Sequence, residues 1–234
     1  MLNRIVLAAL LAGCFAGLGT SALQQSLVVP LILAAETYEV AAEHHHNANG
    51  VEVEVQAPAP KSDPASPVFE LRRAAITTVA TIGAAVGFAL MLLAAMQALD
   101  ERTTSGTALA WGMAGFAATG LAPALGLAPE LPGAAAGDLV TRQLWWVGTA
   151  IATAAGLWLV LRRTSSWAIA LAALLLVAPH IIGAPHPVIL TSTVPAELAS
   201  AFTGRSLAVQ AVFWAVTGWL AGYFWSRGDR ARTL

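Results

Sequence analysis

Charge is scarce in this 234-residue chain. Asp, Glu, Lys and Arg make up 11% of it, 57% is hydrophobic and the mean hydropathy is +0.69. A soluble domain carries about 25% charged residues. A surface this poor in charge does not stay in water, so lipid must be most of the solvent. The net charge of −1 supplies no basic field for nucleic acid. Cysteine is nearly absent: Cys14 alone excludes an intramolecular disulfide framework and cysteine-rich metal sites. There is no G-x-x-x-x-G-K-[ST] loop for ATP and no H-E-x-x-H pair for a catalytic metal. A G-x-S-x-G nucleophile elbow is missing too. No pair of carboxylates inside an apolar run suggests a proton relay. These absences argue against an enzyme. They leave the membrane potential, an ion gradient or another subunit as sources of work. Inward movement of a cation across a negative-inside membrane gains about 2.3 kcal/mol per charge per 100 mV.

Apolar length is what the chain has. A membrane-crossing helix needs roughly 20 mostly apolar residues. Six runs reach or approach that length: Ile5–Leu33, Ala74–Leu99, Thr107–Leu127, Leu144–Leu161, Trp167–Ile182 and Ser206–Trp225. None contains Asp, Glu, Lys or Arg. In lipid every backbone group must bond internally, so these runs predict helices. The expected fold is an all-α integral membrane protein of about six transmembrane helices, forming one domain over residues 1–234. "LAGC" (Leu11–Cys14) matches a lipoprotein cleavage box. The apolar run continues well past it, longer than a signal core of about 7–15 residues, so an uncleaved first helix is expected.

An even number of spans puts both termini on one side. Arg4, Arg102, Arg162, Arg163, Arg227, Arg230 and Arg232 share that side, against Lys61, Arg72, Arg73, Arg142 and Arg205 on the other. The bias favours cytoplasmic termini. Residues 34–73 then form one long extracytoplasmic loop. Its first half, with Glu36, Glu39, Glu43, Glu52 and Glu54 around His44, His45 and His46, suits a short helix followed by a strand at "VEVEV". Its second half, "APAPKSDPASP", reads as a spacer.

The second, fourth and sixth runs are preceded alike by Arg73, Arg142 and Arg205, and each reaches Gly87, Gly156 or Gly218 about four turns after its arginine. Glu70, Asp138 and Glu197 stand upstream of the three arginines. "APALGLAPELP" and "APHIIGAPHP" share A-P-x-x-x-x-A-P. The pattern suggests three outward-opening helical hairpins, with acid–arginine pairs at the mouth and small residues at the helix contacts. Parallel repeats of this type occur in transporters.

All five histidines fall on the predicted outer side, with Glu130, Asp138 and Glu197. Imidazole and carboxylate together suit Co²⁺, Ni²⁺ or Zn²⁺, and imidazole releases its proton near neutral pH. "PHIIGAPHP" reads as a helix broken at Pro179, with His186 held extended between Pro185 and Pro187. The candidate metal ligands are therefore His44, His45, His46, Glu130, Asp138, His180, His186 and Glu197. The bland reading stands beside this one: histidines near span ends are commonly interfacial, and "HHH" in a polar loop is commonly solvated. Nothing calls for a prosthetic group.

"PELPG", "DL…RQLWW", "PHIIGAP" and "VPAEL", set behind "MLNRIVLAALLAG" and ahead of "FWSR", resemble the CbtA family across nearly the whole chain. That resemblance implies five or six spans and a cobalt transporter subunit of bacterial inner membranes. It also implies a small one-span, histidine-rich CbtB partner. A non-conducting subunit that binds or senses metal is the alternative.

Overall fold

A computed structural model of the chain describes residues 2–47, 67–135, 137–187 and 192–230, with the backbone alone for 39–47, 67–68 and 229–230. The described residues are helical, with no strand among them. The first helix, α1, spans Leu2–Leu27, and α2 spans Val29–Asn47. They are followed by α3 (Pro67–Ala98) and α4 (Ser105–Phe116). A π-helical segment, Ala117–Leu121, runs on from α4 into α5 (Ala122–Ala124). The chain closes with α6 (Leu139–Arg162), α7 (Ser166–Ile182) and α8 (Ala196–Arg230).

Six segments run back and forth between two ends of one bundle: α1, α3, the continuous α4–π–α5 segment, α6, α7 and α8. At one end the Arg4 guanidinium donates to the Trp225 carbonyl at 2.7 Å and Glu101 pairs with Arg162. The start of α1 and the end of α8 therefore lie at this end. The opposite end collects the proline-rich turns and His180 and His186. Four helices are long and apolar enough to cross a membrane by themselves: Leu2–Leu27, Phe69–Ala98, Leu139–Arg162 and Ala196–Gly228. The protein is thus a multi-pass membrane protein.

The expected first run, Ile5–Leu33, is divided. Pro30 carries no N–H for the Ser26 carbonyl, and a proline in the first turn favours a new helix start. The chain turns at Val28, where Leu31 and Ile32 donate back to the Val28 carbonyl at 3.0 and 3.3 Å. The Leu27 carbonyl is released from the helix and accepts Arg205 Nη1 at 3.2 Å. The residues expected to end the first span instead begin α2. Leu31, Ile32 and Ala35 pack on Leu131, Val194, Leu198 and Phe202, which lays α2 against the histidine end. The expected helix in the first half of the loop is present to Asn47, while "VEVEV" lies outside the described residues.

The block formed by α1, α3, α4 and α8 is held by close backbone approach. A Cβ at Gly13 would run into Val86, and one at Gly218 into the Ala108 carbonyl, where Gly112 and Gly218 face each other. Ala8, Ala9, Ala12, Leu92, Leu93, Met96, Ala221 and Trp225 fill the contact near the termini. In lipid such burial adds little transfer free energy, because acyl chains are as apolar as leucine. Packing density and interhelical hydrogen bonds do the holding, among them Ser21 with Thr78 at 2.7 Å and Thr81 with Gln24 at 3.0 Å. Of the three matched glycines, Gly156 and Gly218 sit in helix contacts, while Gly87 faces open space.

The hairpin pattern survives unevenly in the packing. α1 and α3 lie against each other, and α6 meets the third segment mainly through its π and α5 portions. α7 packs on α6 and makes no contact with α8.

Candidate metal-receiving end and polar interior

The histidine end is built from three turns. In the first, the chain leaves α5, passes Glu130 and Leu131 and takes a positive φ of 77° at Gly133. That turn lets Glu130 reach forward to α6, where its Oε2 accepts Arg142 Nη2 at 2.6 Å. Asp138 is the N-cap of α6. Its Oδ1 accepts the Thr141 N–H at 2.9 Å and the Thr141 hydroxyl at 2.7 Å. These bonds, the hydroxyl's first, hold the exposed Asp138 carboxyl below its ordinary pKa.

The second turn follows α7, and here the structure corrects the sequence reading. Pro179 does not break the helix, which continues to Ile182 and stops at Gly183, with φ at 86°. The Pro179 carbonyl accepts the Gly183 N–H at 3.1 Å and Trp145 Nε1 at 3.2 Å. The bond from Trp145 satisfies this carbonyl from a neighbouring helix. His180, half-buried, sets its ring edge-on to Trp145 with centroids 6.1 Å apart. Beyond Gly183 the chain is irregular through Pro185, His186 and Pro187, as expected, and His186 is exposed. Its backbone passes beside Gly137, so the turns carrying Asp138 and His186 are neighbours.

The third turn leads into α8. Glu197 lies exposed in its first helical turn, and its carbonyl accepts the Ser200 hydroxyl at 3.0 Å. The Thr203 hydroxyl reaches the Pro129 carbonyl at 3.0 Å and ties α8 to the first turn.

Glu130, Asp138, His180, His186 and Glu197 thus share one end of the bundle. The side chains of His44, His45 and His46 lie outside the described residues. Among the described residues, no group of three His, Cys, Asp or Glu side chains stands close enough to hold a metal ion.

The arginines do fasten this end, but with other partners than the upstream acids. Arg73 pairs with Glu36 at 3.4 Å, Arg142 with Glu130, and Arg205 with the Leu27 carbonyl. Asp138 caps its own helix through Oδ1 while Arg142 turns to Glu130. Glu36 was visible in the sequence, but pairing it with Arg73 requires the bend at Pro30.

The interior holds polar groups that sequence reasoning mostly passed over. The Thr149 and Thr153 hydroxyls on α6, and those of Ser206 and Thr217 on α8, are buried and have no hydrogen-bond partner. Two uncharged polar side chains on the first half of α6, Gln143 and Thr149, differ in exposure. Thr149 is buried and Gln143 is exposed.

A family model described as a probable cobalt transporter subunit, CbtA, matches residues 2–226. The chain belongs to the CbtA family. No curated protein and no solved structure gives a match. CbtA membership makes cobalt the implied cargo and a transporter subunit, rather than an enzyme, the implied role. As a CbtA protein with several membrane-crossing helices, the chain functions in transmembrane ion transport.

Proposed function

We propose that this CbtA protein is a single transmembrane domain of six crossings that brings Co²⁺ into a bacterial cell. Both termini are cytoplasmic, and the histidine end faces outward. The observation carrying this reading is the family match over residues 2–226. His44, His45 and His46 raise the local metal concentration, and His180, His186, Glu130, Asp138 and Glu197 form the mouth. Nickel or zinc suits the same donors. A one-span histidine-rich CbtB-like subunit is the expected partner.

The mouth is a receiving surface rather than a chelating cage. Glu130 is already engaged by Arg142, and Asp138 by Thr141. An incoming cation has to compete with Arg142 for Glu130, which keeps its residence short. A transport site needs to be just strong enough for entry and weak enough for release.

Cobalt uptake by cells at low external metal tests the proposal. Exchanging both His180→Ala and His186→Ala is expected to cut the initial rate at least fivefold at an unchanged level of protein. Equal rates remove these histidines from the mechanism. A second reading, an accessory subunit that binds or senses metal without conducting it, is favoured by the lack of a three-ligand group among the described residues. Purified chain in liposomes separates the two: entry of cobalt with this chain alone supports conduction, and entry only with a partner supports the accessory role.

A further inference from the structure

The π segment makes a local fault in the third crossing. The Ala122 N–H donates to the Ala117 carbonyl, five residues back, in place of the Ala118 carbonyl it would meet in an α-helix. The next donor in line would be residue 123, but Pro123 has no N–H. The Ala118 carbonyl therefore loses both of those donors, at a residue that is itself buried. Such π-bulges occur frequently at functional sites.

Two neighbouring helices present unsatisfied polar groups at this level. On one side is α6. Gly126 lies against Trp145, and antiparallel counting from that contact brings Thr149 level with Ala122 and Thr153 level with Ala118. Trp145, Thr149, Thr153 and Gly156 share one face of α6. Trp145 touches both Gly126 and α7, and Gly156 touches α7. The two threonines between them thus line the seam where α6 meets α7 and the π segment. Their relative exposures are 1% and 3%, and neither hydroxyl is bonded. On the other side is α8. The Gln210 carboxamide lies so close to Gly120 that a Cβ there would sit 2.5 Å from its Oε1. Ser206, one turn away on the same face, has a buried and unbonded hydroxyl.

We propose that these groups form a polar station inside the bundle where a partly hydrated divalent cation is passed on. Its donors are the Ala118 carbonyl and the Thr149 and Thr153 hydroxyls, while Ser206 and Gln210 lie across the segment on the α8 side. The proposal rests on the transport reading above and names the interior part of that route. All three donors are uncharged oxygens, which can replace or orient water around a cation. None is a carboxylate or imidazole, so the ion is not trapped. Buried hydroxyls without partners call for water or a ligand. Non-helical backbone at membrane depth is tolerated where it lines a wet cavity or is buried in protein. Thr217, also buried and unbonded, continues this face of α8 toward the termini.

Two measurements test the station. The first is cobalt uptake by cells carrying the full chain with Thr149→Val and Thr153→Val, which keep shape and remove both hydroxyls. Uptake is expected to fall at least tenfold, while Thr149→Ser with Thr153→Ser stays within twofold of the native rate. Full activity of the valine variant overturns the proposal, as does equal loss in the serine variant. The second is read without metal. In a Cys14→Ala background, Thr153→Cys is expected to react with a small charged thiol reagent supplied from water. Ile151→Cys, whose native residue is 65% exposed on the outer surface of α6, is expected to remain unlabelled in lipid. An inert Thr153→Cys overturns the station even if the chain transports cobalt. Failure of the native chain to take up cobalt overturns the transport reading and, with it, the cation. The labelling result tells the two failures apart.

Discussion

The block of α1, α3, α4 and α8 and the pair of α6 and α7 solve the same packing problem in different ways. The block is closed upon itself. Its glycines bring backbones together, Phe88, Phe213 and Trp214 interlock beside them, and Arg4 lies 3.8 Å over the Trp225 ring at the termini. The pair touches the block through the π segment, α5 and the turn at Gly126. Trp167, Ile169, Leu174, Val177, Ile181 and Ile182 of α7 are exposed, so only lipid or another chain covers them. Yet the pair, with the turns at its ends, carries Asp138, His180, His186 and the unbonded Thr149 and Thr153. The difference assigns tasks: a rigid frame on one side, and on the other a loosely fastened element beside which polar groups can stay unpaired. Local stability is commonly lowest where function requires movement.

The contrast breaks most readily at Gly218. Gly218→Leu forces a side chain into the Ala108 carbonyl and is expected to cost on the order of 3 kcal/mol. Gly87→Leu, placed in open space, is expected to stay within about 0.5 kcal/mol. Thermal unfolding in detergent checks both. Equal effects would mean that the glycine contact does not hold the frame.

A smaller loss is expected at the sealed end. Arg4→Met keeps the length of the side chain but removes both the cation over the indole and the bond to the Trp225 carbonyl. Unfolding should become easier by about 1–2 kcal/mol, with a shift in tryptophan emission. Arg4→Lys should recover only part of that, since an ammonium lacks the flat face that stacks on a ring. Full recovery by lysine would reduce the contact to charge alone.

Where the sequence was legible, apolar length carried the information. The expected runs are helical, although the first is divided between α1 and α2 and the third contains a π segment, because in lipid backbone N–H and C=O groups must bond within the chain. What it concealed was punctuation within those runs. Pro30 marks the end of α1 and Pro179 does not end α7, although both lie in apolar surroundings. Pro30 begins a new helix, whereas Pro179 lies within a helix that continues to Ile182. Pro123 follows a π segment that no apolar period marks. At the histidine end, the arginines and acids were readable in the sequence while their pairing was not. Sequence distance suggested Asp138 for Arg142, but the turn at Gly133 delivers Glu130 instead and leaves Asp138 to cap α6.

Asp138 supplies the gentlest test and joins the two regions to function. Its Oδ1 holds the first turn of α6, at a helix N-terminus where negative charge is favoured. The hydrogen bonds from Thr141 lower its pKa, so the native fold binds this proton less readily than the unfolded chain does. The stabilisation is therefore complete above the ordinary value of 3.8 and is lost as pH falls below it, through the lowered one. Asp138→Ala should lower the melting temperature slightly at pH 7, and the gap to the native protein should close below pH 3.8. A gap that widened on acidification would show that the carboxylate does not act as a cap. Both bonds from Thr141 end on Oδ1. A cation at the mouth can therefore use Oδ2 without uncapping the helix. Cobalt at neutral pH should then raise the melting temperature of the native chain more than that of Asp138→Ala. Equal shifts would leave the cap in place and take Asp138 out of the mouth.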